Sequence, residues 1–166
     1  MKIIAAFLIL LLPFSFVACG RQENTSCREI LHAMTEAEVG LPSGKIYSMK
    51  AARGDDEYLS EHLINSLYGD GSTPVMADGW LDLALFLPSS AHPCEMAVFL
   101  CNSRDTANDT ARMLCRRLGS LRQAKGNGEL SYYFESASVT VRENYVLLVI
   151  SSDTENILKV ASKAIG

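Results

Sequence analysis

The sequence predicts an α+β fold, in which a four-stranded antiparallel sheet with a ββαββα core follows two helices. From Leu81 onward, runs typical of strands and helices follow the order strand, strand, helix, strand, strand, helix. Two of these runs, residues 94–101 and 145–150, are mainly apolar at both odd and even positions. This pattern indicates strands that are covered on both faces. Hairpin connections join the first strand to the second and the third to the fourth, so the predicted spatial order is 1-2-4-3.

Two helices are predicted before the sheet. Ser26 and Glu29 have the spacing of a capping box, and apolar residues then recur on one helical face as far as about Glu38. Residues 39–54 contain several glycines and a proline, which predicts a connecting loop that can hold a short strand around Ile46. We expect Asp55 or Asp56 to cap the second helix, with leucines 59, 63 and 67 on its apolar face and Gly69 at its end.

The first hairpin and the helix after it come next. In residues 80–87, leucines at 81, 83, 85 and 87 alternate with Asp82 and other residues, which predicts the first strand. Residues 88–93 form a loop before the second strand. Asn102 or Ser103 is expected to cap the third helix, whose apolar stripe consists of Ala107, Ala111, Leu114, Cys115, Leu118 and Leu121.

The second hairpin and the last helix complete the domain. After a turn at residues 125–129 and an aromatic run at 130–134, residues 137–141 alternate and predict a half-exposed edge strand. Asn144 is expected to take a positive φ in the turn that leads into the fourth strand. Ser152 and Glu155 have capping-box spacing for the last helix, in which residues 157, 158, 161, 164 and 165 face the core.

The N-terminus has the composition of a secretion signal. Lys2 precedes an apolar run at residues 3–12, and Ala18 stands directly before Cys19. The run is too short to span a bilayer, which needs about 20 residues. The four residues 16–19, Phe-Val-Ala-Cys, resemble a bacterial lipobox, although that pattern usually has Leu where Phe16 stands. The resemblance implies a signal peptide at 1–18, a lipidated Cys19, a tether at 19–25 and one extracytoplasmic domain at 26–166. A plain cleaved signal is the alternative.

The charge argues against nucleic acid as a partner. The chain has 15 basic and 19 acidic residues, a net charge of -4, and loss of Lys2 with the signal makes it -5. A protein that binds phosphate backbones normally has a basic excess.

Lipidation of Cys19 would leave four cysteines, namely Cys27, Cys94, Cys101 and Cys115. None of them has CxxC spacing, and three lie in apolar runs, where a thiol behaves as a small hydrophobic group. Buried free thiols are therefore favoured, with one or two disulfides as the alternative and a metal site as the least favoured interpretation.

Four stretches together carry a resemblance to a known family. They are residues 67–69, 95–99, 116–118 and 144–151, in an order that follows a lipoprotein signal. The chain resembles a lipoprotein family of Clostridia-type Firmicutes that is catalogued as a domain of unknown function. The resemblance covers about residues 27–166 and departs from the family pattern in a shorter connection between residues 118 and 139. It implies an envelope location and brings no catalytic residues.

No catalytic motif accompanies the three histidines, so we do not expect an enzyme. Glu29 and His32 have half of the spacing of a carboxylate-bridged di-iron site, but the second half is missing, and polar residues on a helix surface are favoured. His92 lies in the hairpin loop, either exposed or in contact with a ligand. Scattered serine, histidine and carboxylate residues can still form a hydrolase site, which is the alternative hypothesis.

Basic side chains are concentrated on the third helix, at Arg112, Arg116, Arg117, Arg122 and Lys125. They form either a solvated helix face or a contact with an anionic membrane surface, to which each basic residue adds about 1 kcal/mol; the hypothesis assigns that contact to Arg112, Arg116, Arg122 and Lys125. The aromatic run at 132–134 is either core packing or a binding ledge.

The functional hypothesis is therefore a non-enzymatic lipoprotein on the outer face of the cell membrane. It would bind another envelope protein or a cell-wall component, without a cofactor or a metal ion.

Overall fold

The computed structural model describes residues 25–69, 71, 75, 78–125 and 128–166, and the predicted signal peptide, Cys19 and nearly all of the tether lie outside them. In the described part no helix is long and apolar enough to cross a membrane. The strands are β1 (Gly44–Ser48), β2 (Trp80–Pro88), β3 (Glu95–Cys101), β4 (Ser138–Arg142) and β5 (Tyr145–Ile150). The helices are α1 (Cys27–Ala37), α2 (Glu61–Tyr68), α3 (Arg104–Lys125), α4 (Tyr132–Glu135) and α5 (Thr154–Ile165).

The sheet is antiparallel throughout, with strand order β1-β2-β3-β5-β4. The predicted α+β class is confirmed, but the predicted number of four strands was wrong. The four strands expected from the sequence are neighbours in the order β2-β3-β5-β4, and β1 extends the sheet beyond β2. Residues 44–48 are a short run of mixed polarity, and their pairing from Gly44 with Pro88 to Ser48 with Ala84 is a long-range interaction that local pattern does not reveal.

Helices cover both faces of the sheet. Helices α1 and α5 pack together on one face, where α1 contacts β2 and β3, and α3 packs on the other face against β3, β4 and β5. On the α3 face the ring of Phe99 makes edge contacts with Trp80 and Tyr68. Every residue of β3 and β5 is buried, which confirms the prediction of two central strands.

The first helix starts as predicted, and the second does not. Ser26 caps α1 with a reciprocal bond to Glu29, which is the expected capping box. Helix α2 begins only at Glu61, where Ser60 accepts the N–H of Leu63. The expected cap at Asp55 or Asp56 was wrong because the chain at residues 57–59 first pairs with Ser48 of β1.

Two details of the last hairpin and helix also differ. The positive φ of the β4–β5 turn, 52°, falls on Glu143 rather than on Asn144. Helix α5 is capped by Asp153, whose side chain accepts the N–H of Asn156, and not by Ser152. Ser152 instead donates its hydroxyl to Glu38, a contact between residues far apart in the sequence.

A β-bulge reverses the predicted orientation at the start of β2. The register between β2 and β3 shifts between Trp80 and Asp82, so Leu81 is the extra residue. Leu81 is 54% exposed and Asp82 only 1%, which is opposite to what simple alternation predicts. Asp82 consequently faces α1.

The predicted apolar stripe of α3 was wrong at Cys115. Cys115 is exposed, and Met113 is buried in addition to Leu114 and Leu118. All cysteines from Cys27 onward are free thiols in the structure, and burial of the other three agrees with the favoured interpretation.

The two ends of the sheet can be told apart by the residues that lie there. At the Thr25 end, β2 and β5 begin and β3 ends, and Thr25 is held by a bond from its hydroxyl to Ala164 O (3.0 Å) and by the Tyr145 hydroxyl on its own carbonyl (2.7 Å). At the His92 end lie the β2–β3 connection, the end of β5 and α4. Strands of this length separate the two ends by about 20 Å.

Candidate functional site

A cleft of about 180 Å³ opens at the His92 end, on the face covered by α3. One wall is formed by residues 87–95, which include the β2–β3 connection, and the other by Arg117 and Leu121 of α3. The cleft therefore lies where the central hairpin turns, and its position follows from the packing of α3 on β3.

An ion pair forms the polar wall of this cleft. Arg117 donates from Nε to Glu95 Oε1 (2.9 Å) and from Nη2 to Oε2 (2.7 Å), and its Nη1 donates to Leu67 O (3.2 Å). The side chains are only 17% and 6% exposed. Burial acts to lower the pKa of Arg117, but the hydrogen bonds and charge of Glu95 outweigh it, so this pKa is raised.

The guanidinium also lies over the ring of Tyr68, 5.8 Å from its centroid. The Tyr68 hydroxyl is buried and accepts or donates no hydrogen bond within the described part of the chain. Burial, and then the charge of Glu95, raise the pKa of this phenol well above its usual value, so the hydroxyl stays neutral.

An aromatic ledge, consisting of His92, Tyr133 and Tyr132, borders the cleft. His92 Nδ1 accepts the N–H of Cys94 (3.1 Å), which fixes the ring. The centroid of Tyr133 is 4.9 Å from that of His92 and 4.6 Å from that of Tyr132. Arg122 holds the segment behind the ledge by donating to Phe134 O (2.9 Å from Nη2) and to Ala137 O (3.2 Å).

The ledge is half packed and half exposed. Tyr133 and Phe134 are buried, whereas Tyr132 is 47% exposed. The packing interpretation is confirmed for Tyr133 and Phe134, and the binding interpretation stays a prediction for Tyr132. Val39 and Leu130 at the same end are also exposed, so apolar side chains meet the solvent around the ledge.

Glu38 fixes the position of Val39. Its buried carboxylate accepts bonds from the hydroxyl of Ser151, from Ser152 N (3.2 Å) and from Ser152 Oγ (2.9 Å). These bonds tie the end of α1 to the turn between β5 and α5. Among the described residues no hydrogen bond joins a histidine to a carboxylate and a serine together.

The Cys94 thiol lies in the wall of the cleft and is fully buried. Burial, followed by the charges of Glu38 and Glu95, raises the pKa of this thiol to about 12. The thiol therefore stays protonated at neutral pH, and a protonated thiol is a poor nucleophile.

The basic residues predicted to contact an anionic surface do not form one patch of free charges. Arg112 pairs with Asp109, and Arg122 binds the backbone carbonyls of the ledge segment. Arg116 is exposed, and the side chain of Lys125 lies outside the described part. The membrane contact stays a prediction for these residues.

The other polar residues singled out from the sequence lie apart. Glu29 forms part of the capping box of α1. His32 lies on the exposed surface, with its Nδ1 4.0 Å from Oε1 of Glu36. His62 is exposed on α2. The described residues contain no group of three or more His, Cys, Asp or Glu side chains that could hold a metal ion.

A third buried carboxylate, Asp82, lies at the Thr25 end. It accepts the N–H groups of Cys27 (2.9 Å) and Leu83 (2.9 Å), and Lys50 Nζ lies 3.3 Å away. Asp82 and Glu95 were not among the site residues predicted from the sequence, and Arg117 was predicted only as a member of the basic cluster on the third helix. A signal was present for two of them, because Asp82 and Glu95 are the charged residues inside the otherwise apolar runs of the first hairpin.

Comparisons of the chain with protein-family models, with curated proteins and with solved structures found no match.

Proposed function

We propose that this protein is a lipid-anchored, extracytoplasmic interaction module that binds another envelope protein through its His92 end. The observation that carries the proposal is the aromatic ledge, with Tyr132 47% exposed beside exposed Val39 and Leu130. Tyrosine is enriched at protein interfaces because its ring is apolar and its hydroxyl is polar. The anchor is Cys19, and the resemblance to an envelope lipoprotein family belongs to the same proposal.

The position of Thr25 supports an anchor at one end of the sheet and a binding surface at the other. Thr25 lies at the end of the sheet opposite the ledge, and the segment from Cys19 to Thr25 covers at most about 21 Å when fully extended. A chain anchored at Cys19 would therefore keep its Thr25 end near the bilayer. We propose that the ledge, about 20 Å farther along the strands, faces away from the membrane, where it is accessible to a partner.

The size of the cleft favours a protein over a small molecule. Sites for small molecules usually enclose roughly 300–1,000 Å³, and this cleft has about 180 Å³. An interface, by contrast, needs only a few exposed aromatic or aliphatic side chains as anchors, surrounded by polar groups. The ledge and the ion-paired cleft next to it fit that description.

Replacement of the predicted anchor tests the first part of the proposal. Cys19→Ser should release the domain from the membrane fraction, because a thioether requires the thiol, and two acyl chains hold a protein firmly at about 0.8 kcal/mol for each buried CH₂. Since an unprocessed signal would also retain the mutant, the mass of the N-terminal peptide must be measured in parallel. An unmodified Cys19 in the wild type would contradict the anchor.

Photo-crosslinking in intact cells tests the second part. A photoreactive amino acid in place of Tyr132 should capture one discrete protein, and the same amino acid in place of Leu81 is the matched control at the opposite end. Both positions are about half exposed. Capture of the same protein with equal yield from both positions, or only random neighbours from Tyr132, would argue against the ledge as the interface.

A further inference from the structure

Among the described strands, β4 lies at one edge of the sheet. On its inner side β4 pairs with β5 from Ser138 to Arg142, and α3 packs against one of its faces. Within the described part of the chain, no strand pairs with its other side. Backbone N–H and C=O groups that point outward from such an edge can bind an extended chain.

The opposite edge of the sheet differs at Ser48, where the chain itself pairs with the outer side of β1. Ser48 of β1 donates its N–H to Glu57 O (2.8 Å) and accepts the N–H of Leu59 (3.2 Å). The edge of β1 also carries Lys45, and a charged edge residue is a common protection against strand addition. The central residues of β4, by contrast, are Val139, Thr140 and Val141, which favour strands and carry no charge.

We infer that the β4 edge binds an extended segment of another protein by antiparallel strand addition. Side chains of β4 alternate between the two faces, with Val139 and Val141 on the α3 face and Ser138, Thr140 and Arg142 on the α5 face. The exposed guanidinium of Arg142 donates one bond to Gly166 O (3.2 Å), which leaves further N–H groups for a carboxylate. A complementary segment therefore has an acidic residue opposite Arg142, followed by an apolar, a hydroxyl and a second apolar residue.

A second copy of this chain fits the same edge less well. Antiparallel pairing of two β4 strands would put the two Thr25 ends on opposite sides of the assembly, and parallel pairing in register would put Arg142 beside the same arginine of the other copy. The first argument depends on the proposed anchor at Cys19, since two copies in one membrane need both tethers on the same side. The partner is accordingly a different protein.

Hydrogen exchange of the purified mature chain tests this inference with a defined probe. The probe is the peptide Ac-Glu-Val-Thr-Val-Ser-NH₂, together with two versions that are N-methylated at alternate residues of opposite parity. At saturating peptide, we expect exchange in fragments that cover β4 to slow by roughly fivefold or more, with no change in β1. One methylated version should abolish the effect and the other should keep it, because only one edge of the peptide faces β4.

A charge exchange provides the second arm. Arg142→Glu should weaken protection by the glutamate peptide about threefold, and a peptide with lysine in place of the glutamate should restore it. Equal protection by both methylated peptides, equal slowing in β1, or a dimer protected at β4 without peptide would overturn the inference. None of these readouts depends on lipidation, so a chain with an unmodified Cys19 would contradict the proposed anchor and leave this test valid.

Discussion

Both ends of the molecule bury carboxylates, and Asp82 at the Thr25 end has different partners from Glu95 at the His92 end. At the Thr25 end, Asp82 accepts backbone N–H groups and so fixes the start of α1 on β2. At the His92 end, Glu95 pairs with the side chain of Arg117 in the wall of a cleft. The first carboxylate holds the chain where it enters the domain, and the second stabilises a surface opening.

The groups around Asp82 and Glu95 also differ. Thr25 and Tyr145 close the first end through hydrogen bonds to the backbone. The second end combines buried polar groups with exposed Tyr132 and Val39. Leu81 is an isolated exposed apolar residue at the Thr25 end, whereas Val39, Leu130 and Tyr132 lie together at the His92 end, and this grouping is why we propose the His92 end as the binding surface.

The largest expected effect is on the cleft. Arg117→Ala leaves Glu95 buried without its partner, and we expect the free energy of unfolding to fall by about 3–4 kcal/mol, measured by denaturant titration. Arg116→Ala, at the neighbouring exposed position, is the matched control and should change it by less than about 0.5 kcal/mol. Equal effects of the two changes would show that the ion pair does not hold this end together.

The next effect separates packing from binding on the ledge. Tyr133→Ala removes a buried ring that contacts His92 and should cost about 3 kcal/mol of stability. Tyr132→Ala should leave stability within about 0.5 kcal/mol and reduce the yield of the partner complex. Thermal unfolding measures the first quantity and crosslinking the second. A large loss of stability from Tyr132→Ala would assign this tyrosine to the core instead.

At the Thr25 end, the backbone bonds of Asp82 should matter more than its ion pair. Asp82→Ala leaves the N–H of Cys27 without an acceptor in a buried place and should cost about 2 kcal/mol. Lys50→Ala should lower the free energy of unfolding by less than about 1 kcal/mol, because the Lys50 side chain is 61% exposed. Comparable losses from both variants, measured by denaturant titration, would contradict this assignment.

The smallest effect on stability concerns the thiols. Cys115 is exposed and Cys94 is buried with its pKa raised to about 12. At about pH 8 we expect alkylation to modify Cys115 and to spare Cys94, as read by mass spectrometry of the peptides. Fast modification of Cys94 in the folded chain would mean that the cleft opens.

The raised pKa of Cys94 predicts how the free energy of unfolding changes with pH. The folded chain keeps the Cys94 proton up to about pH 12, whereas an unfolded thiol loses it near pH 9. Between these values the folded state binds more protons, so the free energy of unfolding should fall as the pH rises. Cys94→Ala should make this alkaline slope shallower.

Local pattern predicted the features of the fold that are set within short stretches. The capping box at Ser26 and the two central strands depend on neighbours in the sequence, and both were predicted correctly. The short strand expected around Ile46 is present as β1, but its pairing with β2, the caps of α2 and α5 and the bulge at Leu81 were not predicted, because they depend on contacts outside the local stretch. Ser152, for example, is taken from its predicted capping role by Glu38.

The candidate site was largely hidden for the same reason. Arg117 looks like its neighbour Arg116 in the sequence, and only the packing of α3 on β3 brings one of them to Glu95. His92 and Tyr132 were named as candidates, but their approach through Tyr133 is a tertiary contact. A charged residue inside an apolar run was the one local signal, and it marks two of the buried carboxylates, Asp82 and Glu95.

We propose that the Thr25 end lies near the membrane and that the His92 end lies away from it. Energy transfer measures this directly in vesicles that carry the mature lipidated chain and an acceptor-labelled lipid. In a Cys115→Ser background, a donor dye is attached through Leu81→Cys in one variant and through Tyr132→Cys in the other. The two sites are separated by roughly 20 Å along the strands, so the account predicts strong transfer from the Leu81 position and weak transfer from the Tyr132 position. Equal transfer, or stronger transfer from the Tyr132 position, would contradict it.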